Sequence, residues 1–226
     1  MENKTRASQE KIFRELYDKN KGTPMAVSSE SYAHKWLRFE NVASIFKDMD
    51  DISVHDVGMG VADFYSFLTD NFPGKKIEYS GSEILQEFVD ESRRRFPHLT
   101  FHNRDIAERS GVDRYDFVIM SGVFHQRRDT SIPEWERFAQ QIILNSFNMA
   151  RKGLSFNMVS PFVDFYQTQV YYGNLFKFIT FINDNLSRFF TIHHDYALFE
   201  FTIHVFREEF VKELYPQTEF AKYFKV

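Results

Sequence analysis

The chain has 226 residues, with 28 Lys and Arg against 32 Asp and Glu, and a formal net charge of −4. A hydrophobic share of 43% and a charged share of 27% exclude a disordered or collagen-like chain, and the absence of Cys excludes disulfides, thiolate nucleophiles and Cys-ligated zinc. The mild negative charge speaks against general nucleic-acid binding, no uncharged apolar run nears the ~20 residues of a spanning helix, and the opening residues lack the apolar stretch of a secretory signal, so a soluble cytoplasmic protein with neither nucleic acid nor membrane as partner is the expectation.

The first fifty residues read as helical. Ile12, Phe13, Leu16 and Tyr17 make one short stripe, and Tyr32, Trp36, Phe39, Ala43 and Phe46 follow at spacings of four and three, which align on one helical face. Residues 21–24 (Lys-Gly-Thr-Pro) read as a turn between the two helices, and residues 28–30 as the cap of the second. From residue 52 the pattern becomes strand, loop, helix, repeated. Strands are expected at 52–57, 76–80, 99–102, 116–121 and 154–159. The apolar stripes of Phe64, Phe67 and Leu68, of Ile84, Leu85, Phe88 and Val89, and of Trp135, Phe138, Ile142 and Phe147 mark the helices between them. This alternation predicts a doubly wound parallel sheet. Residues 189–194 and 198–206 are strand-like but separated by only about three residues, too few for a parallel crossover, so they must pair as an antiparallel hairpin. The expected whole is one domain: a helical cap over residues 1–50, a core over 51–159, a helical insert over 160–188 able to fold over the pocket as a lid, the hairpin over 189–207, and a tail.

The most informative stretch runs from Asp56 through Val57-Gly58-Met59-Gly60-Val61-Ala62 to Asp63, at the end of the first strand, where α/β sheets bind ligands. A dinucleotide fingerprint requires a third glycine at position 63, where an anionic Asp stands, so a nicotinamide cofactor is disfavoured. The loop instead resembles the first motif of the class I S-adenosylmethionine-dependent methyltransferases, acid-x-Gly-x-Gly-x-Gly, with Asp56, Gly58 and Gly60 matching and Ala62 in the last position. Further landmarks of that family fall in order. Glu83 follows the second strand, Asp105-Ile106 follows the third, and residues 115–125, from Tyr-Asp-Phe-Val-Ile-Met to Ser121-Gly-Val-Phe-His125, resemble the fourth motif. The resemblance covers roughly residues 50–207. It implies a seven-stranded Rossmann-like sheet and S-adenosylmethionine as cofactor. Asp56, Gly58, Gly60 and Ser121 would lie around the cofactor, with Glu83 on its ribose and Asp105 and Ile106 on its adenine.

The acceptor is harder to read. Amino-group methyltransferases of nucleobases and glutamine carry Asn/Asp-Pro-Pro-Tyr/Phe in the fourth motif. This chain carries Ser121-Gly122-Val123-Phe124, so that chemistry is disfavoured. His125 reads either as a general base at the sheet's edge or as a surface residue closing the loop. Tyr166 and Tyr172 read either as pocket walls or as packing for the insert, and Asn157 either as a pocket residue or as a strand end. His193-His194-Asp195 invites a metal reading, but adjacent strand side chains point to opposite faces, and Asp195 reads better as a turn residue. Glu200 and His204 are expected on a polar strand face, solvated or paired. Lys35 or Arg38 reads either as a partner for the cofactor's carboxylate or as a solvated face. The expectation is methyl transfer to a small molecule, preferably an oxygen of a sugar or related metabolite. N-methylation of an amine or protein is the alternative within enzymes, and a non-catalytic methyltransferase-like partner protein the alternative outside them.

Overall fold

The computed structural model describes residues 2–20, 31–108 and 111–224. The turn expected at 21–24 and the cap expected at 28–30 lie outside the described residues. Helix α1 spans Glu2–Asn20 and α2 spans Tyr32–Ala43, followed by a 3-10 turn over Ser44–Phe46. Ser31 caps α2, its hydroxyl accepting from the His34 N–H at 3.2 Å. Strands and helices then alternate as β1 (Ile52–Val57), α3 (Asp63–Asn71), β2 (Ile77–Glu83), α4 (Gln86–Arg95), β3 (Thr100–Asn103), β4 (Tyr115–Met120), α5 (Ile132–Met149), β5 (Ala150–Val159), α6 (Leu175–Asn185), β6 (Phe190–His193), β7 (Glu200–Phe206) and α7 (Glu208–Leu214).

The seven strands form one sheet in the order β3-β2-β1-β4-β5-β7-β6. β1 to β5 pair in parallel, while β7 runs antiparallel to both β5 and β6. This is the architecture expected from the sequence. It places a core on each face, because side chains alternate along a strand. Val54, Phe117 and Ile119 face Phe39 and Phe46 of the cap segment and Phe64 and Phe67 of α3. Val118, Met120, Leu154 and Phe156 face Trp135, Ile142 and Ile143 of α5 and Phe178 and Ile182 of α6.

Three local expectations are corrected. Helix α6 is no lid: Phe178 and Ile182 bury it in the α5 core, as befits the crossover between β5 and β6, and the rest of the insert before it is irregular. β2 runs three residues further than predicted, so Glu83 ends the strand rather than following it. The hairpin connection spans residues 194–199, longer than the three or so residues expected, which leaves Phe199 outside β7 and 47% exposed.

Candidate active site

The neighbouring parallel strands β1 and β2 end side by side, with Asp56 opposite Gly81 and Val57 opposite Ser82. Beyond them the backbone turns through three left-handed residues, Gly58 (φ +72°), Gly60 (φ +56°) and Ala62 (φ +59°), before α3 begins at Asp63. The close approach at Gly58 is steric as well as torsional: an added Cβ would stand 2.7 Å from Val123 Cγ2. The loop is held to β2 by Gly58 N–H and Met59 N–H donating to Ser82 O at 2.9 and 3.2 Å. The last position of the motif is therefore a left-handed alanine, which costs more than the mild departure its small side chain suggests.

Glu83 lies against this loop. Its Oε2 accepts from Gly60 N–H at 3.1 Å and its Oε1 from Ile84 N–H and Leu85 N–H at 2.7 and 3.2 Å. Burial outweighs these donors and pushes its carboxyl up to about 6. Asp56 is also buried, its Oδ2 accepting from the Tyr79 hydroxyl at 2.8 Å, and burial drives its carboxyl up to about 8. No Lys or Arg forms an ion pair with either carboxyl among the described residues. Each is a buried acid whose charged form lacks a counter-charge. The cleft above them, about 1270 Å³ counting its open mouth, is lined by the Gly loop, Glu83, Asp105, Ile106, Ser121 and His125. All seven cofactor positions named from the sequence, and His125, thus meet in one cavity.

These residues fit S-adenosylmethionine on the chemistry of the donor set. A cationic amino group entering beside Asp56 supplies the missing counter-charge, and neighbouring ribose hydroxyls donate to the Glu83 oxygens, which the three N–H bonds already aim. Asp105 also lies in the wall. Its Oδ1 accepts from Ala107 N–H at 2.8 Å, and its Oδ2 stands 3.6 Å from Arg6 Nη1 of α1.

The N-terminal helices roof the cavity. Arg6, Gln9 and Phe13 of α1 and Lys35, Arg38 and Phe39 of α2 reach its wall. Lys35 is buried and paired at 2.6 Å with Asp63, which Arg95 of α4 also contacts at 2.7 Å. Arg38 pairs with Glu200 at 2.6 Å. Neither cation is a solvated surface charge.

On the far side of the cavity, His125 is buried with Nε2 3.4 Å from Asn157 Nδ2 and 3.9 Å from Glu200 Oε2. Burial lowers its pKa to about 4, against the pull of Glu200, so the imidazole is neutral at neutral pH. Asn157 does not line the cavity but lies behind it, fully buried, accepting from Gly122 N–H at 2.8 Å and donating to Glu200 at 2.6 Å. Tyr166 and Tyr172 are not brought to the cavity. Their rings pack against each other at 4.7 Å, Tyr166 donating to Pro161 O and Tyr172 accepting from Gln167 N–H. His193 and His194 diverge, the first stacking towards His204 and the second towards Phe162. Glu200 and His204 are both buried and paired, His204 between Ser44 and Ser155 at 2.9 Å from each.

Sequence reasoning missed three contributors: Glu200, Arg104 and the α1 face. Arg104 lines the cleft and donates to Ser82 Oγ at 2.7 Å. The signal for Glu200 was available, since an antiparallel last strand must begin at the edge where the parallel strands end.

No family model matches the chain. It is 29% identical over 158 residues to Rv1506c of Mycobacterium tuberculosis, named as a candidate methyltransferase, an alignment covering 68% of this chain and 92% of that one. In three dimensions it resembles the magnesium protoporphyrin IX methyltransferase of Synechocystis PCC 6803 with bound S-adenosylhomocysteine (TM-score 0.63, 15% identity, 92% of this chain and 100% of that one). It also resembles the N-methyltransferase NodS of Bradyrhizobium japonicum WM9 in complex with S-adenosylhomocysteine (TM-score 0.59, 12% identity, 88% of this chain and 97% of that one). Its motifs resemble those of the class I S-adenosylmethionine-dependent methyltransferases, and its strand order and these likenesses show that it shares the fold of such enzymes.

Proposed function

We propose that this methyltransferase binds S-adenosylmethionine in the cleft at the ends of β1, β2 and β4, and methylates an oxygen of a small molecule, a sugar or related metabolite. The bound cofactor supplies a methyl group on a sulfonium. In this reading Asp56 faces its amino group, Glu83 its ribose, and Asp105 and Ile106 its adenine, with Gly58, Gly60 and Ser121 forming the bed. The chain acts as one domain, with α1 and α2 capping the cofactor.

The observation that carries the choice of oxygen is His125: a neutral, buried imidazole in the same cavity wall as the Gly loop. A hydroxyl must lose its proton as it is methylated, and a neutral imidazole is a base ready to take it, whereas an amine reaching the site as its free base needs no such partner for attack. Positioning supplies much of the remaining acceleration, because displacement at a sulfonium is in line. The site's polar residues serve that end: Asn157 fixes the Gly122 turn, and Gly122 stands beside the imidazole.

Two measurements test the proposal. Calorimetry is expected to show S-adenosylhomocysteine binding and no NAD binding; absence of the first overturns the cofactor assignment. A transfer screen with methyl-labelled S-adenosylmethionine against sugars and amines is expected to label a hydroxyl compound. His125→Ala should then slow that transfer by about 10²–10⁴-fold. Labelling of amines alone, with His125→Ala at full rate, moves the protein to N-methylation.

A further inference from the structure

We propose that Glu200 is a positioning residue for this reaction: its carboxylate selects the tautomer of His125 in which Nε2 carries the proton and the bare Nδ1 faces the cavity. The inference rests on the methyltransferase reading and deepens it, because it gives the acceptor's proton a specified destination.

The geometry begins with Asn157. Its Oδ1 accepts from Gly122 N–H at 2.8 Å, which leaves Nδ2 to face Glu200 Oε2 at 2.6 Å. The orientation of this amide is thereby set from both ends. Arg38, reaching down from α2, donates through Nε and Nη2 to the other oxygen of Glu200 at 2.7 and 2.6 Å. The carboxylate is buried, yet the charge of Arg38 and the hydrogen bonds from Arg38 and Asn157 hold it below the usual glutamate range against the desolvation that raises it. It is an anion fixed in place by three elements, and the nearest ring nitrogen is His125 Nε2, 3.9 Å from Oε2.

An anion on one side of a neutral imidazole favours the proton on that side. Asn157 Nδ2 has a second N–H and also approaches Nε2, but 3.4 Å is a long contact between neutral groups, and the full charge of Glu200 outweighs it. The groups facing His125 are thus Glu200 from β7, Asn157 from β5 and, behind Glu200, Arg38 from α2. Nδ1 lies towards Gly122, where an added Cβ would stand 3.9 Å from it, and both residues line the cavity.

When a hydroxyl is methylated, its oxygen contributes a lone pair to the new carbon–oxygen bond, and the electron pair of the broken carbon–sulfur bond stays on sulfur. The oxygen–hydrogen pair stays on oxygen and the proton passes to Nδ1. The imidazolium so formed lies beside the Glu200 carboxylate and returns its proton to water once the product has left.

The test is nitrogen-15 NMR of the full chain labelled at histidine, at pH 7 without ligand, with His125 assigned through the signals lost in His125→Gln. The wild type is expected to show the Nε2–H tautomer, Glu200→Asp to retain it, and Glu200→Gln to lose it in favour of a mixture or of Nδ1–H. An Nδ1–H tautomer in the wild type, or a tautomer unmoved by Glu200→Gln, overturns the proposal. Should Glu200→Gln fail to fold by circular dichroism, Arg38→Met carries the same question. Freed of its cation, Glu200 is expected to raise the pH at which His125 protonates by about one unit or more, and an unchanged midpoint overturns the proposal. Calorimetry with S-adenosylhomocysteine on the wild type keeps the two ideas apart: no binding there removes the methyltransferase reading, whereas a tautomer that ignores Glu200 removes only this inference.

Discussion

Ala62 occupies a backbone conformation that suits glycine, at φ +59°, inside the turn that cradles the proposed cofactor. An L-residue there costs about 1–2 kcal/mol, partly recovered through the lower entropy of the unfolded chain. Ala62→Gly is therefore expected to raise stability by up to about 1 kcal/mol, read as a higher urea midpoint with unchanged slope. Gly58→Ala should do the reverse by more than about 1 kcal/mol, since it combines φ +72° with a collision against Val123. If the two substitutions move the midpoint in the same direction, the loop does not have this conformation. Glu83 is the residue on which the ribose assignment turns. Glu83→Ala should weaken S-adenosylhomocysteine binding by about 1.5–3 kcal/mol, the range for a hydrogen bond to a charged group; unchanged affinity would reduce Glu83 to an anchor for the loop, whose Gly60 N–H it holds in any case.

Among the elements, the parallel strands were legible because each is a short apolar run between turn residues, and the hairpin because the connection was too short for a crossover. The insert was misread for a physical reason. Its aromatics announce burial without saying against what, and Tyr171 and Phe178 bury themselves in the α5 core while Phe162, Phe165 and Tyr166 stay in solvent. Of the proposed site, the half contributed by β1, β2 and β3 could be read from motifs, since it is built from residues close in sequence to strand ends. The half around His125 depends on pairing between β5 and β7, which no local pattern records. Helix α1 is the most loosely attached part of the roof. Arg6 to Glu108, Arg14 to Glu87 and Gln9 to Gln126 O are partly exposed contacts, and Tyr17 against Phe88 at 4.9 Å is its main buried anchor. Amide hydrogen exchange in α1 is accordingly expected to quicken as salt is raised and to slow when S-adenosylhomocysteine is bound. Exchange as slow as that of β4 under both conditions would make α1 part of the rigid core.

For the molecule as a whole, buried titratable groups oppose one another in their effect on stability. Asp56, raised from 3.8 to about 8, and Glu83, raised from 4.5 to about 6, keep protons in the folded state that the unfolded chain has released. Their contribution is complete below about pH 4 and is lost as the pH rises through about 6 and then 8. His125, lowered from 6.5 to about 4, His204, lowered to about 3, and His55, also lowered by burial, act in the opposite sense. Their contribution is present above about pH 6.5 and is lost as the pH falls through about 4. Between about pH 4.5 and 6 the three histidines outnumber the two acids, so stability rises with pH. Between about 6.5 and 8 Asp56 alone remains, and stability falls by about 1.4 kcal/mol per unit. The ligand-free protein should thus be most stable near about pH 6–6.5, as measured by urea midpoints across the range. Saturating S-adenosylhomocysteine should flatten the alkaline fall, because its ammonium keeps Asp56 ionised. A maximum at pH 8 or above without ligand would contradict the buried, neutral state of Asp56.

The reversed direction of β7 has one more effect. Because it enters the sheet from the rim at which β1, β4 and β5 finish, the region around His125 is closed by residues 157 and 200, from the last third of the chain, whereas Glu83, Asp105 and Ile106, the residues proposed to hold the nucleoside, all lie before residue 107. The two ends share β1 and β4 as a common wall yet draw their distinguishing side chains from separate stretches of polypeptide. Exchanging the stretch after residue 121 for that of another protein of this fold should therefore change what is modified and leave the donor preference where it was.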